Sequence, residues 1–151
     1  MPPPKLPDHL PEVKLSFAGR MLPRIGNLIN SERAYRTLHS LFSEHLEIYE
    51  AFRVILLGQD RAPQGWVCIG KGGLTETVAD PRLIFAAALK SLCTGIIVAH
   101  NHPSGCKFPS QSDIDLTRRL VAIGDIHQIE VVDHLILVRN GYFSFADEGL
   151  M

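Results

Sequence analysis

The chain has 151 residues, 46% of them hydrophobic and 21% charged, with a net charge of −1. That length and apolar content can bury one core without disulfides, and they exclude collagenous, wholly disordered and membrane-spanning classes. The near-neutral charge offers no global field for nucleic acid, and three cysteines (Cys68, Cys93 and Cys106) suit a reducing cytosol better than a disulfide framework.

Five of the ten prolines lie within the first eleven residues, so residues 1–12 read as an extended tail. No charged stretch followed by an apolar one opens the chain, so no secretory signal is expected and the cytoplasm is the expected location. Val13–Phe17 is a strand candidate and Pro23–Leu28 a linker. Residues 1–28 thus form a tail and linker, and 29–151 a single folded domain. Asn30 or Ser31 can cap a helix whose apolar positions are Ala34, Leu38, Leu41 and Phe42. Glu47–Leu57 and Trp66–Gly70 read as the two strands of a hairpin, followed by a loop at Gly70, Gly72 and Gly73.

Asp80-Pro81 is a helix start with Asp as cap, and the helix is expected to run through Ile84, Ala87, Ala88 and Leu92 to stop at Gly95. Ile96–Ala99, short and wholly apolar, fits a central strand buried on both faces. A helix over Gln111–Ile123 should end at Gly124. Ile129–Val132, Leu135–Arg139 and Tyr142–Phe145 read as three strands, the last two joined by an Asn140-Gly141 turn. The partial alternation of strands and helices predicts a mixed α/β fold, a mixed β-sheet flanked by helices.

Chemistry concentrates at one place. His100 and His102 leave the apolar strand one residue apart, and Ser110 and Asp113 follow in the next helix start. An i, i+2 pair on a strand puts both imidazoles on one side of the backbone. Two ring nitrogens and one carboxylate leave a fourth tetrahedral position for water, the catalytic pattern of zinc. Fe(II) also uses two His and one carboxylate, but the ligand set favours zinc. From the chain's own composition this spacing arises by chance roughly once in a thousand sequences, so spacing alone is a moderately strong signal.

The segment His100-Asn101-His102-Pro103-Ser104-Gly105, with Pro109-Ser110 and Asp113, resembles the metal motif of the JAB/MPN/JAMM metalloprotease superfamily. Asp115-Leu116-Thr117-Arg118-Arg119-Leu120, the Asp133-His134 pair and the Ser144-Phe145 ending resemble its RadC-like branch more narrowly. The resemblance spans about residues 30–151. It implies an MPN/JAB-like (cytidine-deaminase-like) fold and a zinc-dependent peptidase or isopeptidase holding one Zn2+ per chain on His100, His102 and Asp113. It also implies a glutamate general base on an earlier strand, which Glu50 matches, and an oxyanion-holding role for Ser110. On a period-2 strand Glu50 shares its face with Phe52, Val54 and Leu56, where a carboxylate needs a partner; Glu47 is the alternative on the opposite face.

Plainer readings stand beside these. Ser110-x-x-Asp113 is also a capping box that needs no metal. Glu50 could pair with Arg53 or Arg82. His134 reads as a structural histidine between two strands, or else a further ligand or shuttle. His9, His39, His45 and His127 read as surface residues, Cys106 as an exposed inert thiol, and Arg118-Arg119 as a solvated face. The expected partner is a protein or peptide substrate, which Trp66–Gly70 could bind as an added strand at a sheet edge. The RadC-like name raises a DNA-repair role on or near nucleic acid as the alternative, although no basic stripe with interleaved aromatics supports it. Longer members have an N-terminal helix-hairpin-helix region, where this chain is expected to have only a proline-rich tail and one helix.

Overall fold

A computed structural model describes residues 26–28, 30–72 and 79–151. The proposed tail and the Val13–Phe17 strand, His9, residues 23–25 of the linker and Gly73 lie outside the described residues. The elements run α1 (Ser31–Phe42), β1 (Ala51–Leu57), β2 (Pro63–Lys71), α2 (Pro81–Lys90), β3 (Gly95–Asn101), α3 (Gln111–His127), β4 (Glu130–Val138) and β5 (Gly141–Ser144). The strands form one sheet in the order β2-β1-β3-β4-β5. Every neighbouring pair is antiparallel except β3 and β4, which are parallel and joined by α3. The fold is mixed α/β, as the sequence predicts. No helix among the described residues is long and apolar enough to cross a membrane.

Alternation along the strands divides the core into two layers. Ala51, Ile55, Leu57, Ile97, Ala99, Leu135 and Leu137 face α1, packing on Ala34, Leu38 and Phe42. Phe52, Val54, Leu56, Ile96 and Val98 face α2 and α3, packing on Ile84, Ala88 and Leu120. With a helix layer on each side, every residue of β1 and β3 is buried.

The expected helix caps are present, because capping is local chemistry. Asn30 accepts from Arg33 N at 2.9 Å and Asp80 from Arg82 N at 2.9 Å. Several boundaries differ from expectation, each for a tertiary reason. Chain 43–49 forms turns instead of opening β1, because the buried Asn101 amide draws in the carbonyls of Leu46 and Tyr49. Helix α2 ends at Lys90, and Leu92, expected on its apolar face, has φ +54° and is 73% exposed.

Ile129–Val132 and Leu135–Arg139 were expected as two strands, but Glu130–Val138 form a single β4, since the polar Asp133-His134 pair is satisfied within the sheet. Asp133 accepts from His134 N, Ser144 Oγ and Ala146 N. His45, expected at the surface, is buried against Arg53, with 2.9 Å between its Nε2 and the guanidinium.

Helix α3 passes through Gly124 rather than stopping there, and closes on Gln128 in the left-handed region. A Cβ on Gly124 would lie 2.5 Å from the Ile129 carbonyl oxygen, so only glycine lets the helix end sit this close to β4. Gly124→Ala should therefore destabilise the fold by about 1–3 kcal/mol despite alanine's better helix propensity. A thermal melt checks this; an unchanged or raised Tm would contradict the close approach.

Candidate metal centre

The parallel crossover assembles the site. His100 lies on β3, its Cα paired with Phe52 of β1 and Ile136 of β4. The ladder continues one step past Asn101, where His102 N donates to Leu137 O at 3.0 Å. The chain then turns sharply, with Gly105 at φ +80° donating its N–H to His102 O at 3.0 Å. Helix α3 begins nearby and returns over the end of the same strand, carrying Asp113 in its first turn.

Here three candidate ligands converge. His100 Nε2 lies 2.9 Å from His102 Nε2 and 3.2 Å from Asp113 Oδ1, and His102 Nε2 lies 3.7 Å from Asp113 Oδ2. Ligands about 2.0–2.1 Å from a tetrahedral ion stand about 3.3 Å apart, which these separations bracket. His102 Nδ1 lies 2.7 Å from Cys106 O. A carbonyl only accepts, so Nδ1 carries the hydrogen and the Nε2 of neutral His102 is a lone pair. The donor set, two imidazoles and a carboxylate, fits zinc. Exposure is graded across the site: the His100 side chain is 1% exposed, Asp113 15% and His102 17%. An ion held here would have one side toward solvent, as a catalytic ion requires.

Ser110 and Asp113 form the capping box as well as part of the site, so the plain reading and the functional one hold together. Asp113 Oδ2 accepts from Ser110 N at 2.7 Å and Ser110 Oγ at 2.6 Å, while Asp113 N lies 3.2 Å from Ser110 Oγ. The box immobilises the carboxylate and leaves Oδ1 facing His100. Burial works against the Asp113 charge, but its hydrogen bonds, those from the Ser110 hydroxyl and amide among them, hold the carboxyl well below the usual range. The Ser110 hydroxyl is committed to Asp113 and Ser112.

Glu50 is half-buried and immediately precedes β1, two residues before Phe52, the Cα partner of His100. The arginines considered for it are engaged elsewhere: Arg82 with Asp80 at 2.7 Å, and Arg53 with His45 and the Phe42 ring. Glu47 is exposed in the preceding turn, 3.4 Å from Arg139. Cys106 is exposed, and it is its carbonyl that engages His102.

Three residues escaped the sequence reading or were misjudged. Asn101, fully buried, accepts from Ala51 N at 2.9 Å and donates to Leu46 O and Tyr49 O, bracing the segment that carries Glu50. Its signal was an amide placed in an apolar strand. Thr117 is also fully buried and lies four residues after Asp113, hence on the same helix face. His134 belongs to the site's surroundings rather than to a gap between strands. Its Nε2 lies 2.9 Å from His100 Nδ1 and its Nδ1 2.7 Å from Thr117 Oγ1. Burial above all keeps His134 well below the ordinary imidazole range. The rings of Phe52 and Phe145 pack on it with centroids 5.7 and 4.7 Å away.

A family model described as a RadC-like JAB domain matches residues 28–150. A UPF0758 protein of Porphyromonas gingivalis is 38% identical over 93% of this chain and 61% of its own length. A UPF0758 protein of Symbiobacterium thermophilum is 43% identical over 71% of this chain and 45% of its own, and one of Flavobacterium johnsoniae 33% over 84% and 55%. The chain thus spans less than two-thirds of the length of these relatives.

Asp113→Asn keeps the side chain's size but removes its charge. Zinc affinity, measured by competition with a chromophoric chelator, should fall at least tenfold while helix content stays unchanged. Unchanged affinity would reduce Ser110 and Asp113 to a helix cap.

Proposed function

The chain belongs to the RadC-like JAB domain family, and on that premise we propose that it is a zinc-dependent hydrolase that cleaves an amide or isopeptide bond in a protein or peptide. The observation that carries this reading is the convergence of His100, His102 and Asp113 ligand atoms within 4.8 Å of one another. Zinc held there would act as a Lewis acid and acidify a water. Glu50 is assigned as the general base, taking a proton from the attacking water and returning it to the leaving amine. Ser110 holds Asp113 through its hydroxyl and amide. Its further assignment is as an oxyanion donor, which would require its hydroxyl to leave Asp113. The extended substrate is proposed to add as a strand to β2, which is an edge of the sheet among the described residues.

Glu50→Gln separates chemistry from metal binding. With a peptide or isopeptide substrate found by library screening, turnover should fall about 10²–10⁴-fold while zinc content stays that of the unaltered chain. Retained turnover would sink the base assignment; lost zinc would move Glu50 into the ligand set.

A further inference from the structure

Thr117 and His134 stand outside the ligand set, yet their polar atoms form an unbroken line into it. Thr117 Oγ1 lies 2.6 Å from Asp113 O. A carbonyl can only accept, so the single hydroxyl hydrogen of Thr117 goes there. Toward His134 Nδ1, 2.7 Å away, the same oxygen is therefore an acceptor, and Nδ1 carries the hydrogen. His134 is fully buried with the Thr117 hydroxyl and the His100 ring as its hydrogen-bond partners, a setting that holds an imidazole neutral with one N–H, so its Nε2 is the lone pair. That lone pair faces His100 Nδ1 at 2.9 Å, which must then donate. The other nitrogen of His100, Nε2, is left bare, and it is the atom that faces His102 and Asp113.

We propose that Thr117 and His134 form a fixed hydrogen-bond relay that locks His100 in the Nδ1–H tautomer and presents its Nε2 lone pair to the metal position. Both are positioning residues. The relay starts on the backbone of one ligand, Asp113, and ends on the ring of another, His100, so it ties the first turns of α3 to the end of β3. The packing suits a fixed arrangement: Thr117, His134 and His100 are each at most 1% exposed. Phe52 stacks on His100 with centroids 5.8 Å apart, and Phe145 stacks on His134. The rings are closed to bulk solvent, and the one hydrogen on Thr117 sets the direction of every bond that follows.

The value of the relay to a metal rests on His100 being a ligand, but the tautomer does not, and the test separates the two. Nitrogen-15 imidazole spectra of the full metal-free chain, recorded well above the ordinary imidazole pKa, report which ring nitrogen carries hydrogen. His100 and His134 should both be protonated on Nδ1. Thr117→Val keeps the shape and removes the relay's end; His100 should then show a mixture of tautomers, and zinc affinity by chelator competition should weaken 10–100-fold. Thr117→Ser, which keeps the hydroxyl, should restore the single tautomer and most of the affinity. Hydrogen on His100 Nε2 in the unaltered chain would overturn the proposal without any variant having to fold. So would a Thr117→Val chain whose tautomer and affinity are unchanged, or a Thr117→Ser chain that loses as much as Thr117→Val. The predicted tautomer in a chain that takes up no zinc would sustain the relay and contradict the metal reading instead.

Discussion

An imidazole buried at the end of a strand that is covered on both faces must find a partner for each of its two nitrogens. His100 is in that position, 1% exposed on a β3 whose residues are all buried. Leaving either nitrogen unpaired there would cost about 1–3 kcal/mol. Much of the local architecture satisfies this constraint. The parallel neighbour β4 brings His134 to Nδ1, and the crossover helix α3, returning over the strand end, brings Asp113 beside Nε2 as a second donor to the ion that this nitrogen is proposed to hold. Ligands in α/β sheets gather at such carboxyl ends of strands, where the chain must loop over before entering its helix.

Three consecutive polar residues then divide the work. His100 and His102 point to the layer beneath α3, while Asn101 points the other way and spends its amide on the backbone of residues 46–51. The segment before β1 is thereby tied to the same strand end that carries the histidines. Register does the rest, because Phe52 pairs with His100 and so sets where the chain just before it runs. Ser110 adds a second economy: one capping box starts α3 and also turns one oxygen of Asp113 toward His100.

What was legible in the sequence was local. The histidine pair with Ser110 and Asp113, the caps at Asn30 and Asp80, and the hairpin turn at Asn140 and Gly141 each depend on residues a few positions apart. The mixed sheet with flanking helices also followed from the order of elements. What was not legible depended on partners distant in sequence. The start of β1 is set by an amide fifty residues downstream, between Ala51 and Asn101. The unity of β4 depends on Ser144 and Ala146 meeting the Asp133 carboxylate. The burial of His45 depends on Arg53, and the part played by Thr117 appears only when His134 lies against it. A polar residue is ambiguous in sequence because the group that satisfies it is named only by the fold.

Whether this convergence of donors holds an ion decides the proposed chemistry. Relatives such as the Porphyromonas gingivalis protein carry the matched region within a longer chain, so whole-protein activity and substrate are a separate matter from the site itself. The most direct measurement is metal content by mass spectrometry on tag-free protein purified without added metal. The account predicts about one zinc per chain, absent from His100→Ala. A chain that holds no metal after zinc loading and dialysis would contradict it.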